Sequence, residues 1–548
     1  MWFELRADRF TREKSAIGHL LVEDWVKRVE WGVDAQGNAY AEVLFEAGGI
    51  LRHANLMYPQ HYPHVPLRIV PVIEGQKWSH HQWPTGELCL EIRADNWLPD
   101  FDGADMLRSA RKLLDTEGHL DASGNPGEVA IDHRFTEGQR MLGRYGRLIL
   151  SDALIEALER RSRDVFALDL HNIEFEKSCV CVAVGLGGGY GFSGWNDPGV
   201  PPSFVQMPNH FGLIAQLTRG DARHQALSSG GLTATQRWAA FSGLALTGPC
   251  FIVGVLDGRV IAKFLTLDAV VDVYWMRMEN EQRLPDRSAH LSEKRVAILG
   301  CGSMGSKLAA SLARCGVHRF FLVDGDILKT GNLVRHELDW GEVGAHKIDG
   351  LEKRLQRINP NVKVEKWLGA LDSQVSSLNL QTCLEQLKSC DLLVETTASG
   401  HGFNYAAAMA EDGKMPMVWG RVFGGGFGGY IARSRPGFEP PPQRMRHVIN
   451  QSFEEKGGKM PPQEIDIDYA AGEDGQAPMI ADDADVSVIT AHLTRFSVDT
   501  LAAPASTAYP HSAYLIGLSA GWEFNEPFDT RPLFFPSEAP SAELASES

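Results

Sequence analysis

One stretch narrows the possible folds more than any other. Residues 295–326 read RVAILGCGSMGSKLAASLARCGVHRFFLVDGD. A short apolar run is followed by glycines, then by a segment with apolar residues at helical spacing, then by a second apolar run ending in acids. Apolar runs of this kind are buried on both faces, and a helix between two of them makes the strands parallel. The pattern continues. AHKIDGLEKRLQRINP predicts a helix stopped at Pro360, VKVEKWL a third strand and CDLLVETTA a fourth. From Glu293 onward the chain is therefore expected to form a parallel, doubly wound sheet. GRVFGGGFGGYIARSRPGFEPPPQ, starting at Gly420, is expected to leave that sheet, and 437–481, rich in Pro, Gly and acids, to be a loop excursion. ADDADVSVITAHLTRFSVDTLA predicts a helix whose acidic first turn suits its dipole.

The whole chain has 548 residues, enough for about three domains. Residues 1–27 predict a helix with an apolar stripe through Phe3, Ile17, Leu20, Leu21 and Trp25. NAYAEVLFEAG and, after the turn-rich YPQHYPHVP, LRIVPVIE predict strands, and ADMLRSARKLLDT a closing helix. Residues 1–122 thus read as an α+β domain. Residues 123–288 mix helical segments with strands such as CVCVAVGL, CFIVGVL and RVIAKFLTL around a long glycine-rich loop. They carry no chemical motif and read as a mixed α/β linker domain. The doubly wound domain spans 289–535, and 536–548 reads as a disordered tail. The fold class is multidomain α/β.

Net charge is −17 with no basic block, which argues against nucleic acid as a partner. No run approaches the roughly 18 apolar residues that span a bilayer, and MWFELRADRF has no apolar core of signal-peptide length. No membrane partner is expected, and the location is expected to be cytoplasmic. The eight cysteines are scattered and none forms a CxxC pair, so neither a disulfide scaffold nor a zinc ribbon is expected.

Gly300, Gly302 and Gly305 form GxGxxG between a strand and a helix, where backbone can approach phosphates at a helix N-terminus. Asp324 ends the second strand, the place for an acid on a ribose hydroxyl. NAD and ATP are equally served to this point. Asp326, Asn332, Arg335 and Lys347 then follow in DGDILKTGNLVRHELDWGEVGAHK. An amide, a guanidinium and an ammonium in that order suit a triphosphate, and hydride transfer has no use for them.

In this order GCGSMG, DGD, NLVRH and GAHK resemble the motifs of the E1 ubiquitin-activating and sulfur-carrier-activating adenylation domain, over residues 293–435. The resemblance implies ATP and Mg²⁺ as cofactors and the C-terminal carboxylate of a ubiquitin-like protein as substrate. It places Asp324 on ribose and Asn332, Arg335 and Lys347 on phosphates, with Arg283 or Arg287 completing the site. It also implies a homodimer through this domain. The turn TTAS carries Ala398 and Ser399 where such domains hold a magnesium aspartate, leaving the metal ligand open, with Asp326 and Glu395 as candidates.

No cysteine follows Cys390, so a nucleophile must be sought earlier. Tyr62, Pro63 and Pro66, then GELCLEI around Cys89, then Trp97-Leu98-Pro99 resemble the E2 ubiquitin-conjugating fold over about residues 25–120. This implies that Cys89 carries a thioester, which keeps acyl reactivity for a target lysine or other amine. Ser79, His80 and His81 stand where that fold has an HPN tripeptide, and His80 or His81 is expected to replace its asparagine. The combination resembles bacterial E2–E1 fusion proteins of ubiquitin-like conjugation operons, including antiphage CBASS systems. The rival readings are a nicotinamide-dependent oxidoreductase and a non-catalytic scaffold that binds a ubiquitin-like protein.

Overall fold

The computed structural model describes residues 1–83, 85–118, 136–141, 143–161, 165–187, 194–279, 283–369, 371, 377–397, 399–455 and 481–535. They divide into two compact units, 1–142 and 143–548.

In the first unit, α1 (Ala7–His19) ends well before the expected residue 27. A turn with Asp24 at φ 60° follows, and β1 (Val26–Val33) begins. Val26 is buried, whereas Leu21 and Val22 point into solvent, so the expected stripe does not continue. β1, β2 (Ala39–Ala47), β3 (Ile50–Met57) and β4 (Arg68–Pro71) form an antiparallel meander in sequence order. The Gly48-Gly49 pair, both at positive φ, closes the β2–β3 hairpin as a two-residue loop. α2 (Gly103–Gly118) packs Leu107, Ala110 and Leu114 against Phe45, Leu56 and Ile69.

The second unit contains two sheets. The strands β5 (Gly146–Leu150), β6 (Val165–Phe175), β7 (Ser178–Leu186), β8 (Trp195–Asn196), β9 (His210–Gln216), β10 (Cys250–Leu256), β11 (Arg259–Leu265), β12 (Val270–Asp272) and β13 (Tyr274–Arg277) form one mixed sheet. Its order is 12-11-10-9-6-7-5-13, with β8 on β7. α3 (Asp152–Glu159), capped by Ser151, covers it with Leu154 and Leu158.

The other sheet is built from β14 (Arg295–Leu299), β15 (Arg319–Val323), β16 (Lys363–Trp367), β17 (Leu392–Glu395), β18 (Met417–Phe423), β19 (Gly428–Ser434), β20 (Ala513–Gly517) and β21 (Thr530–Pro532). The order is 16-15-14-17-18-19-20-21, parallel through β18 and antiparallel beyond. α4 (Ser303–Arg314), α5 (Lys347–Ile358) and α9 (Asp483–Ala502) cover one face; α6 (Ser377–Lys388), α7 (Gly400–Asp412) and α8 (Pro442–Glu455) cover the other. This is the expected double winding.

One expectation is overturned. The segment from Gly420 does not leave the sheet: it completes β18, turns through Gly424, Gly425 and Gly426 at φ 60°, 65° and 99°, and returns as β19. The glycines supply a reversal that side chains resist, not a loop. The expected loop excursion over 437–481 likewise contains α8. Residues 456–480 and the expected tail 536–548 lie outside the described residues. Among the described residues no helix is long and apolar enough to cross a membrane.

Candidate functional site

In the first unit, Cys89 lines a cleft of about 690 Å³ with Pro66, Arg68, Trp83, Glu87, Arg93 and Met106 among its walls. The thiol is half-buried and pushed up to about 11, by burial first and by the Glu87 carboxylate second, with Arg93 opposing. Burial also raises Glu87 from its ordinary value, with Arg68 opposing. The Cys89 amide donates to the His81 carbonyl at 2.7 Å. His81 is buried, and its own amide donates to Ser79 Oγ, which donates to Glu117. His80 is exposed. The hydrogen bond that joins this segment to the Cys89 amide is thus made by a backbone carbonyl.

The remaining residues of the Cys89 motif converge. Trp97 Nε1 donates to the Pro63 carbonyl at 2.7 Å, and Arg9 on α1 donates to Pro99 O at 2.7 Å and to Tyr62 Oη at 2.6 Å. Arg9 also pairs with fully buried Glu13 at 2.9 Å. α1 therefore fixes the loop that follows Cys89, a role the sequence pattern did not disclose.

In the second unit the glycine loop lies at the C-terminal end of β14, where the chain's route across the sheet changes direction. Its glycines have different jobs. Gly300, at φ 85°, lies so close to the β17 turn that a Cβ would stand 2.7 Å from Thr397 Cα. A Cβ on Gly305 would stand 2.8 Å from Thr396 Oγ1 and would overlap Gly300 O outright. A Cβ on Gly302 would meet nothing within 4 Å. Gly302 is also the N-cap of α4, so open space lies where amide donors and the dipole face outward.

The peptide groups of Cys301 are held from two directions. Its amide donates to Asp324 Oδ2 at 2.7 Å. Its carbonyl lies 2.9 Å from His336 Nε2. Because His336 Nδ1 accepts from the Leu338 amide at 3.1 Å, Nε2 carries the proton and donates. Burial lowers the His336 pKa, which keeps it neutral. His336 was visible only as the last letter of NLVRH.

Lys347 opens α5, where its charge opposes the helix dipole. Asp326 compensates: Lys347 Nζ lies 2.5 Å from Asp326 Oδ2, and the Lys347 amide donates to Asp326 O. Burial acts to raise the Asp326 pKa, but the Lys347 and Ile327 hydrogen bonds overcome it and hold the group below its ordinary value. Asn332 and Arg335 bond to the protein's own backbone here: Asn332 Oδ1 accepts from the Lys329 amide at 2.9 Å, and Arg335 donates to Ala481 O at 3.2 Å, just ahead of α9. Arg283 is exposed; the Arg287 side chain and Ala398 lie outside the described residues.

Residues 280–451 match the model of the ThiF family. Two curated relatives are similar over part of their length. The uncharacterized protein y4oA of Sinorhizobium fredii is 30% identical over 31% of this chain and 30% of that protein. The ATP-dependent ubiquitin transferase-like protein Cap2 of Enterobacter hormaechei is 32% identical over 23% of this chain and 21% of that protein. The chain thus spans less than a third of the curated relatives it matches. The crystal structure of E. coli MccB with ATP aligns over 47% of this chain and 69% of that one, at 15% identity and TM-score 0.35. Cys89 lies outside the ThiF match.

The ThiF segment fits a nucleotide through the open Gly302 side of its loop. Among the described residues, the two acids considered for magnesium are already engaged. Asp326 is engaged by Lys347, and Glu395, at the end of β17, turns Oε1 back onto the Thr397 amide at 2.8 Å and hydroxyl at 2.6 Å. Among the described residues no three His, Cys, Asp or Glu side chains gather as a metal cage. Ser399 caps α7 by accepting from the Gly402 amide.

Proposed function

We propose that the chain adenylates the C-terminal carboxylate of a ubiquitin-like protein at its ThiF segment and carries the acyl group on Cys89. The observation that carries the reading is the glycine loop: a peptide cradle latched by Asp324 and His336, open at Gly302, with Lys347 held close by. Such a cradle takes phosphates without needing a nicotinamide pocket. The Cap2 relative, an ATP-dependent ubiquitin transferase-like protein, supports the same direction.

In this reading Asp324 is the ribose acid, and Asn332, Arg335 and Lys347 stabilise charge on the phosphates. A carboxylate oxygen of the substrate attacks the α-phosphorus of ATP, and pyrophosphate leaves. The Cys89 thiolate attacks the acyl carbon, AMP leaves, and a thioester forms. An amine then attacks the thioester, releasing Cys89 as thiolate and leaving an amide on the target. Joining both activities in one chain raises the effective concentration of Cys89 near the adenylate. The first unit is proposed to be E2-like, 123–288 to be the linker domain and the second subunit of a homodimer to donate Cys89.

The test is intact-mass spectrometry of the protein with Mg-ATP and a ubiquitin-like protein encoded beside it. A reductant-sensitive adduct that is lost in Cys89→Ala is expected. An adduct that persists in the variant would place the thioester elsewhere, and binding without an adduct would favour a scaffold.

A further inference from the structure

Close to the Thr396-Thr397 turn lies a second set of charged groups that the motifs do not include. Glu395 is opposite Trp419 in the β17–β18 register, and Arg421 is two residues further along β18, so the three share a face. Tyr430 is opposite Arg421 on β19. That face is the one covered by α7 and α8. From α8, Arg446 reaches the same place. It is only 7% exposed, and its Cζ lies 4.4 Å from the ring centre of Phe403 near the start of α7.

Each of these two arginines carries one buried nitrogen that no group among the described residues satisfies. Arg421 Nη2 and Arg446 Nη2 are both buried without a hydrogen-bond partner, and so is Asn450 Oδ1, one helical turn beyond Arg446. The nearby carboxylate is Glu395, whose Oε1 is already shared by the Thr397 amide and hydroxyl. Two guanidinium groups thus face one engaged carboxylate. Burial, then the neighbouring Arg421, lowers the Arg446 pKa, so the site resists its own positive charge. Native structures rarely leave buried charged donors unpaired, and such groups call for an explanation. An oxyanion would supply it. The N-terminal turn of α7, capped by Ser399, adds a favourable dipole, and the partial exposure of Arg421 keeps the place reachable.

We propose that Arg421 and Arg446 form an oxyanion seat beside the Glu395–Thr397 turn, for the carboxylate of the acyl substrate or a phosphate of the nucleotide. The choice of these two sources rests on the adenylation reading; the seat itself does not. Both guanidiniums act as binding and positioning groups, and they would bring negative charge to the C-terminal edge of the sheet, level with the glycine loop.

The test is thermal unfolding of the full chain in inorganic phosphate against chloride at constant ionic strength, with and without saturating α,β-methylene ATP. The wild type is expected to show a saturable rise of about 3 °C that persists with the analogue and is lost in Arg421→Met and Arg446→Met. That outcome assigns the seat to the carboxylate. If the analogue removes the phosphate response and binds at least tenfold more weakly to both variants, the seat holds nucleotide phosphate. A phosphate response absent from the wild type, or retained in both variants, would overturn the proposal. Arg421→Lys and Arg446→Lys guard against misfolding, since they keep the charge and should keep part of the response. Failure of the analogue to bind at all would sink the adenylation reading while leaving the phosphate comparison intact.

Discussion

Cys89 combines access with a reluctant thiol. Burial and Glu87 push it to about 11, so only a small fraction is thiolate at neutral pH. Its alkylation by iodoacetamide should therefore rise about tenfold per pH unit from 7 towards 10, with a midpoint near 11, followed by peptide mapping. Glu87→Gln removes a repelling charge, so the midpoint should fall; an unmoved midpoint would leave burial as the whole cause. Lys347→Met should weaken α,β-methylene ATP at least tenfold in calorimetry, since it removes the ammonium and leaves the Asp326 carboxylate facing the phosphates. Cys89, Asp326 and Lys347 could be singled out as candidates in the sequence because their neighbours form recognisable strings. The sequence hid His336, Arg421 and Arg446 because each acts on residues far away in the chain: His336 on Cys301, Arg446 on Phe403. His80 and His81 were legible as residues, while the hydrogen bond from the Cys89 amide to the His81 carbonyl was not, because a backbone acceptor leaves no mark in sequence.

At the scale of elements, the glycine motif separates into packing and open positions. Gly305→Ala forces a methyl onto the Gly300 carbonyl and should cost several kcal/mol, roughly the scale of core overpacking, with a lowered urea midpoint. Gly302→Ala meets empty space at φ −76°, so stability should stay within about 1 kcal/mol while α,β-methylene ATP binds more weakly. The opposite ranking would remove the phosphate from the Gly302 side. The parallel strands and their helices were legible because buried apolar runs and 3.6-residue stripes are strong signals. β3 was not, because Ile50 and Leu51 face solvent and blur its alternation. β19 was hidden by the glycines that make its turn, which on sequence grounds read as an exit from the sheet.

For the whole molecule, the first unit has its own core, from Trp2 to Leu114, and the cores of the second unit draw on other residues. Fragments 1–142 and 143–548 should each melt cooperatively, and α,β-methylene ATP should raise the melting temperature of the second alone. A stabilised first fragment would contradict the assignment of the nucleotide to the ThiF segment. Within that segment, the Cys301 N–H and C=O are gripped by residues 23 and 35 positions away, both on the connection between β15 and α5. A hand already cupped need not close. Nucleotide capture in stopped-flow should then show a single phase whose rate rises in proportion to concentration, with no slow plateau, so that waiting time is set by encounter and not by rearrangement of the loop.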